Sequence, residues 1–179
     1  MRLKYNNFMR YRSSANILPA IFLVTAMASA WTQTQAATAT ATVDANIIMA
    51  ISMTTRNGLS FGDISAGSTS GTVILTPSGA RTATGGTTVN TSTSGNPSTF
   101  DVQGEPNASF SITLPVSVIL SNSSSQTMTV DNFTSSPSPS GVLDSSGKQT
   151  LFVGATLNVS ANQPFGSYSG QMSVTVDYN

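Results

Sequence analysis

Apolar side chains recur at every second position in run after run of this chain. Leu151, Val153, Ala155, Leu157 and Val159 do so without interruption. So do Phe110, Ile112 and Leu114, then Val116, Val118 and Leu120 beyond Pro115, and finally Met172, Val174, Val176 and Tyr178. An extended backbone turns successive side chains to opposite faces, so this period gives a segment one apolar face and one polar face. No amphipathic helical stripe of useful length accompanies it. The runs are separated by turn formers: Asn57-Gly58, Pro77-Ser78-Gly79, Gly85-Gly86, Gly95-Asn96-Pro97, Gly104-Glu105-Pro106-Asn107, Asn122-Ser123-Ser124-Ser125, a Ser/Pro/Gly-rich stretch over 135–147, and Asn162-Gln163-Pro164. Short alternating strands with turn signals about every ten residues predict an all-β antiparallel sandwich or barrel.

The first residues follow a different pattern. Arg2, Lys4, Arg10 and Arg12 have no acidic partners, an apolar run extends from Ile17 to Met27, and small residues follow at Ala28-Ser29-Ala30 and Thr34-Gln35-Ala36. The apolar run is shorter than the roughly 20 residues a bilayer-spanning helix needs. A basic flank, a short apolar core and a small-x-small site read as a secretory signal peptide over 1–36. Cleavage is expected after Ala36, with Ala30 as the alternative, and Met9 is an alternative start. Export through the inner membrane to the periplasm, then to the cell surface or medium, follows as the expected route.

Removal of that segment leaves Arg56, Arg81 and Lys148 against seven acidic residues, a net charge of −4 (3 − 7). Such a surface repels a phosphate backbone, which argues against nucleic-acid binding. The chain has no cysteine and no histidine. Disulfides, the commonest general base, Ser-His or Cys-His nucleophiles and ordinary zinc or copper sites are therefore excluded. No glycine-rich phosphate-binding fingerprint occurs, and Asp101 and Glu105, the two acids nearest each other in sequence, are the one candidate carboxylate pair for a hydrolase. They read instead as the flanks of a surface turn. Arg81 and Glu105 are expected to form an ion pair between loops. No cofactor, no metal and no enzymatic activity are expected.

The two ends of the exported chain stand out. Ala37, Ala39, Ala41, Val43, Ala45, Ile47, Met49 and Ile51 alternate over a span with Asp44 as its single charge, and Tyr168 to Tyr178 has Asp177 alone. Uncharged alternating segments pair with other strands unless they are blunted, and neither is. The first is read as an N-terminal extension over 37–45 followed by a first strand near 46–53, in one domain over 46–179. In one reading 37–51 is simply the first strand of a complete sandwich. In the other, Ala37, Ala39, Ala41, Val43 and Ala45 are a donor strand for a neighbouring subunit. The last strand is expected over Tyr168–Tyr178.

Specific stretches carry a family resemblance. Leu59-Ser60-Phe61-Gly62 looks like the opening of bacterial secreted pilin-like domains. Ser78 to Gly86, Gly104 to Pro115, Met128 to Ser136 and Leu151 to Leu157 are similar to a bacterial family catalogued only as a domain of unknown function. That family in turn resembles the spore-coat-U-like and chaperone–usher pilus subunits. The resemblance implies an immunoglobulin-like sandwich that lacks a strand and is completed by a donor strand, first from a periplasmic chaperone and then from the next subunit. It implies assembly with an outer-membrane usher into a head-to-tail fimbria serving adhesion. It also implies that Gly166, Met172, Val174, Val176 and Tyr178 form the chaperone- and subunit-docking edge. The chain departs from many such pilins in lacking a disulfide. The alternative is a self-complete secreted or surface sandwich that binds a glycan or protein partner, with exposed aromatics for stacking.

Overall fold

The computed structural model describes residues 35–179. The expected signal peptide lies outside these residues apart from Gln35 and Ala36. The chain divides into a unit ending at Asp44 and a unit spanning Ala45–Asn179. In the first, the described residues are exposed and carry no strand.

The second unit is all-β and antiparallel, an immunoglobulin-like sandwich. Its ten strands are β1 (Ser52–Asn57), β2 (Ile64–Leu75), β3 (Arg81–Val89), β4 (Ser98–Gln103), β5 (Ser109–Thr113), β6 (Ser117–Ser121), β7 (Thr127–Ser136), β8 (Ser140–Val142), β9 (Lys148–Val159) and β10 (Thr175–Tyr178). The larger sheet is built on β9. One edge of β9 takes β4 along its first half, from Lys148 to Val153, and β2 along its second half, from Ala155 to Val159. The other edge takes β7. β1 lies outside β4, β3 outside β2, and β6 outside β7. The smaller sheet is β10–β5–β8.

The alternating residues of β9 explain its central place. Leu151, Val153, Ala155, Leu157 and Val159 all face inward and are buried, while Phe152, Thr156 and Asn158 turn outward. Gly154 lies between the two partners on one edge, and a Cβ there would fall 2.2 Å from the carbonyl oxygen of Leu75 and 2.8 Å from the nitrogen of Pro77. Only glycine lets β2 leave the sheet at that point. Pro77-Ser78-Gly79 forms the expected turn, with Thr76 and Ala80 closing it through hydrogen bonds.

The core falls into two clusters. Phe100, Val102, Phe110, Leu143, Leu151, Val153 and Val176 pack between the two sheets. Val73, Leu75, Val130, Ala155, Leu157 and Val159 lie on the inner faces of β2, β7 and the second half of β9, and Phe61, between β1 and β2, packs with them. The small sheet contributes no residue to this second cluster. Segments without regular strand structure, around Phe61 and over 163–172, are what flank it.

Three expectations are corrected. The first strand runs over Ser52–Asn57, not 46–53, because its partner β4 ends at Gln103, opposite Ser52, and Gly104 begins a turn. The last strand is confined to Thr175–Tyr178, not Tyr168–Tyr178. Its partner β5 ends at Thr113, opposite Thr175, and Pro115 two residues on has no N–H to extend a ladder. The stretch 135–147 is not one loop, since β7 continues to Ser136 and β8 occupies Ser140–Val142.

Candidate functional site

The uncovered cluster opens into a groove of about 970 Å³. Its floor is Val118, Leu120, Met128, Val130, Leu157 and Val159, the inner faces of β6, β7 and β9. Consecutive residues from Gly58 to Ala66 form one wall and consecutive residues from Gln163 to Met172 form the other. A volume at the top of the roughly 300–1,000 Å³ range of ligand sites, with two stretches of main chain as walls, suits an extended segment of chain.

One wall carries unpaired backbone. Among the described residues, Ser169 exchanges hydrogen bonds with Ser121 at 2.9 and 3.0 Å, but Gly170 to Val174 make no backbone hydrogen bond to another segment. On the opposite wall Ser60 exchanges hydrogen bonds with Asn96, and the Asp63 carbonyl accepts from Asn90 N–H. Phe165 stands on the groove at 99% exposure. Exposed apolar surface next to unsatisfied peptide groups is the chemistry that strand addition uses.

The Phe61 wall is held by a cation. Arg81 donates to the carbonyl oxygens of Phe61 (2.5 Å), Thr93 (2.6 Å) and Asn90. The expected pairing of Arg81 with Glu105 does not occur. The ion pair in its place joins Arg56 to Asp101, with contacts of 2.6 and 3.1 Å. Glu105 instead accepts from the Met49 N–H at 3.0 Å. The two carboxylates proposed as a pair are thus each engaged separately, one on the outer face of β4 and one in the following turn. Asp144, in the turn before β9, has its carboxyl held below the usual carboxylate range by the Ser146 hydroxyl, then by the Lys148 and Ser146 N–H groups. Among the described residues there is no cluster of three potential metal ligands.

The candidate donor residues Ala37, Ala39, Ala41, Val43 and Ala45 are all exposed and outside any strand, Val43 at 93% and the following Ile47 at 96%. The candidate docking edge divides in two. Gly166, with φ of 146°, and Met172 line the groove. Val176 and Tyr178 pair with Ile112 and Phe110 of β5. Together with Val174 they pack on the cluster between the sheets, and Met172 touches both regions. The groove floor on β6 and β7 was missed as a site from sequence, because Val118, Leu120, Met128 and Val130 have the pattern of any half-buried strand.

An immunoglobulin-like antiparallel sandwich with an apolar-floored groove along one side is the class of protein these features define. The chain belongs to the family described as Domain of unknown function (DUF4402), whose profile matches residues 51–178. Comparison with curated proteins and with solved structures gives no significant match.

Proposed function

We propose that this chain is a structural subunit of a bacterial surface fibre, assembled by donor-strand exchange and serving adhesion. The extension over 37–45 of one copy fills the groove of the next, with Ala37, Ala39 and Ala41 as small knobs and Val43 as a deeper anchor. A periplasmic chaperone covers the same groove before assembly at an outer-membrane usher. The supporting observation is a matched pair in one chain: a groove with an apolar floor and unpaired backbone on one wall, and an exposed, alternating apolar segment that pairs with nothing among the described residues. The absence of histidine and cysteine and the separate engagement of Asp101 and Glu105 support a non-enzymatic role.

Unheated denaturing electrophoresis of the exported protein tests this. A ladder of multimers that collapses on boiling and is lost when 37–45 is deleted is the expected result. A single monomer band from both proteins, with the deletion variant folded, contradicts it. That result favours the second reading, a monomeric module whose groove takes a glycan or protein, for which the exposed ring of Phe165 is the stacking candidate.

A further inference from the structure

Tyr178 fastens the base of the N-terminal extension. Its hydroxyl donates to the Met49 carbonyl at 2.8 Å and accepts from the Glu105 N–H at 2.6 Å. The Glu105 carboxylate accepts from the Met49 N–H at 3.0 Å, so both peptide groups of Met49 are held. Gly104 makes room for this: a Cβ there would lie 2.1 Å from the Tyr178 hydroxyl. Beyond the clasp, Ala45 to Ile48 are exposed.

The position of the clasp matters. Met49 lies past the N-terminal end of β1, whereas the groove begins at the other end of that strand, at Thr55 and Gly58. With Met49 pinned, a chain that reversed over Ala45–Ile48 has Ala37–Asp44 left to return, about 26 Å at ~3.3 Å per residue. Reaching Thr55 uses about 20 Å of that, so only about two residues enter the groove. Released as far as Ser52, the same chain turns later and seats about eight.

We infer that the Tyr178–Glu105–Met49 clasp keeps the extension from closing on its own subunit's groove and so reserves it for a second copy. Tyr178 is a positioning residue in this scheme, and the inference rests on the fibre reading above.

The experiment compares the exported protein with Tyr178→Phe, which keeps the ring packing and removes the hydroxyl, and with Glu105→Ala and Glu105→Gln. The readouts are multimer yield and the thermal midpoint as a function of protein concentration. The parent midpoint is expected to rise with concentration. In Tyr178→Phe, multimers should fall about tenfold at equal concentration, the change that losing the one hydrogen bond from the hydroxyl to Met49 makes in an equilibrium. Its midpoint should become independent of concentration yet still drop when 37–45 is deleted, the signature of self-closure. Glu105→Ala should shift the same way, and Glu105→Gln, which keeps an acceptor, should match the parent. Unchanged assembly in Tyr178→Phe and Glu105→Ala overturns the clasp alone. So does a loss of multimers with no deletion-sensitive monomer. A parent protein whose midpoint ignores both concentration and the deletion overturns the fibre reading and the clasp with it.

Discussion

The guanidinium of Arg81 donates to the carbonyl oxygen of Phe61 at 2.5 Å, tying the edge strand β3 to a groove wall twenty residues earlier in the chain. The same group reaches the Thr93 and Asn90 carbonyls, so one side chain holds the wall and the 90–97 loop together. Arg81→Ala leaves three carbonyls without this partner. Hydrogen bonds to charged groups contribute about 1.5–3 kcal/mol, so a loss of about 2 kcal/mol is expected in urea unfolding. Arg81→Lys should recover part of it, since one ammonium replaces a planar fork with several donors. A variant as stable as the parent would show that the wall stands without the cation.

Gly154 is the second point of sensitivity. A Cβ there meets backbone atoms at 2.2 to 2.8 Å, and backbone cannot swing aside as a flexible side chain can. Gly154→Ala is expected to cost about 1–3 kcal/mol through overpacking, and Gly154→Val more. Thermal unfolding measures it, and an unchanged midpoint would mean that β2 and β4 do not meet on one edge of β9 as described.

Asp144 makes stability depend on pH at the acid end. Its carboxyl is held below its ordinary value mainly by the Ser146 hydroxyl and then by backbone N–H groups. A group depressed on folding binds protons more readily in the unfolded chain, so its contribution is present above the ordinary carboxylate range of about 4. The contribution is lost as pH falls through the depressed folded value. Asp144→Ala should therefore lower stability at neutral pH and flatten the acid limb. Parallel pH profiles for the two proteins would contradict this.

Much of the sandwich was legible because burial imposes period two. The buried run Leu151 to Val159 on β9 and the strand at Val176 and Tyr178 follow the alternation directly. The two misplaced strand ends share one cause: alternation marks a segment able to form a strand, whereas the partner decides where the strand stops. Ala45 to Ile51 alternates as well as β1 does, yet β4 ends opposite Ser52. Gln171 to Val174 continues the pattern of β10, yet β5 ends opposite Thr175.

Val73 and Leu75 mark a strand by their alternation, but the first part of β2 was hidden for a different reason. That part, Ile64 to Gly71, is mostly Ser, Gly and Thr, and it pairs through close backbone approach, with Gly67 against Gly86. β8 was hidden in a Ser/Pro-rich stretch, where Gly141 lets the Phe110 ring lie against the chain. Of the candidate site, the proposed donor segment was visible as unblunted alternation. The groove was not, because it exists only where two sheets fail to overlap.

The proposed donor segment can be altered without touching the core. Val43 is 93% exposed, so Val43→Asp should leave the domain's unfolding free energy within about 0.5 kcal/mol of the parent. It should nonetheless abolish heat-sensitive multimers, because a carboxylate entering an apolar groove is strongly disfavoured. Multimers at the parent level would exclude Val43 as an anchor.

The pairing of donor and groove can be measured in isolation by adding a synthetic peptide of residues 37–49 to protein lacking 37–45 and following the thermal midpoint. A filled groove should raise the midpoint with the logarithm of peptide concentration above Kd, by about 2.7 kcal/mol of stability at a hundredfold excess over Kd. A peptide with Val43→Asp should do much less. A midpoint that does not move at any peptide concentration would mean that the groove does not accept the extension.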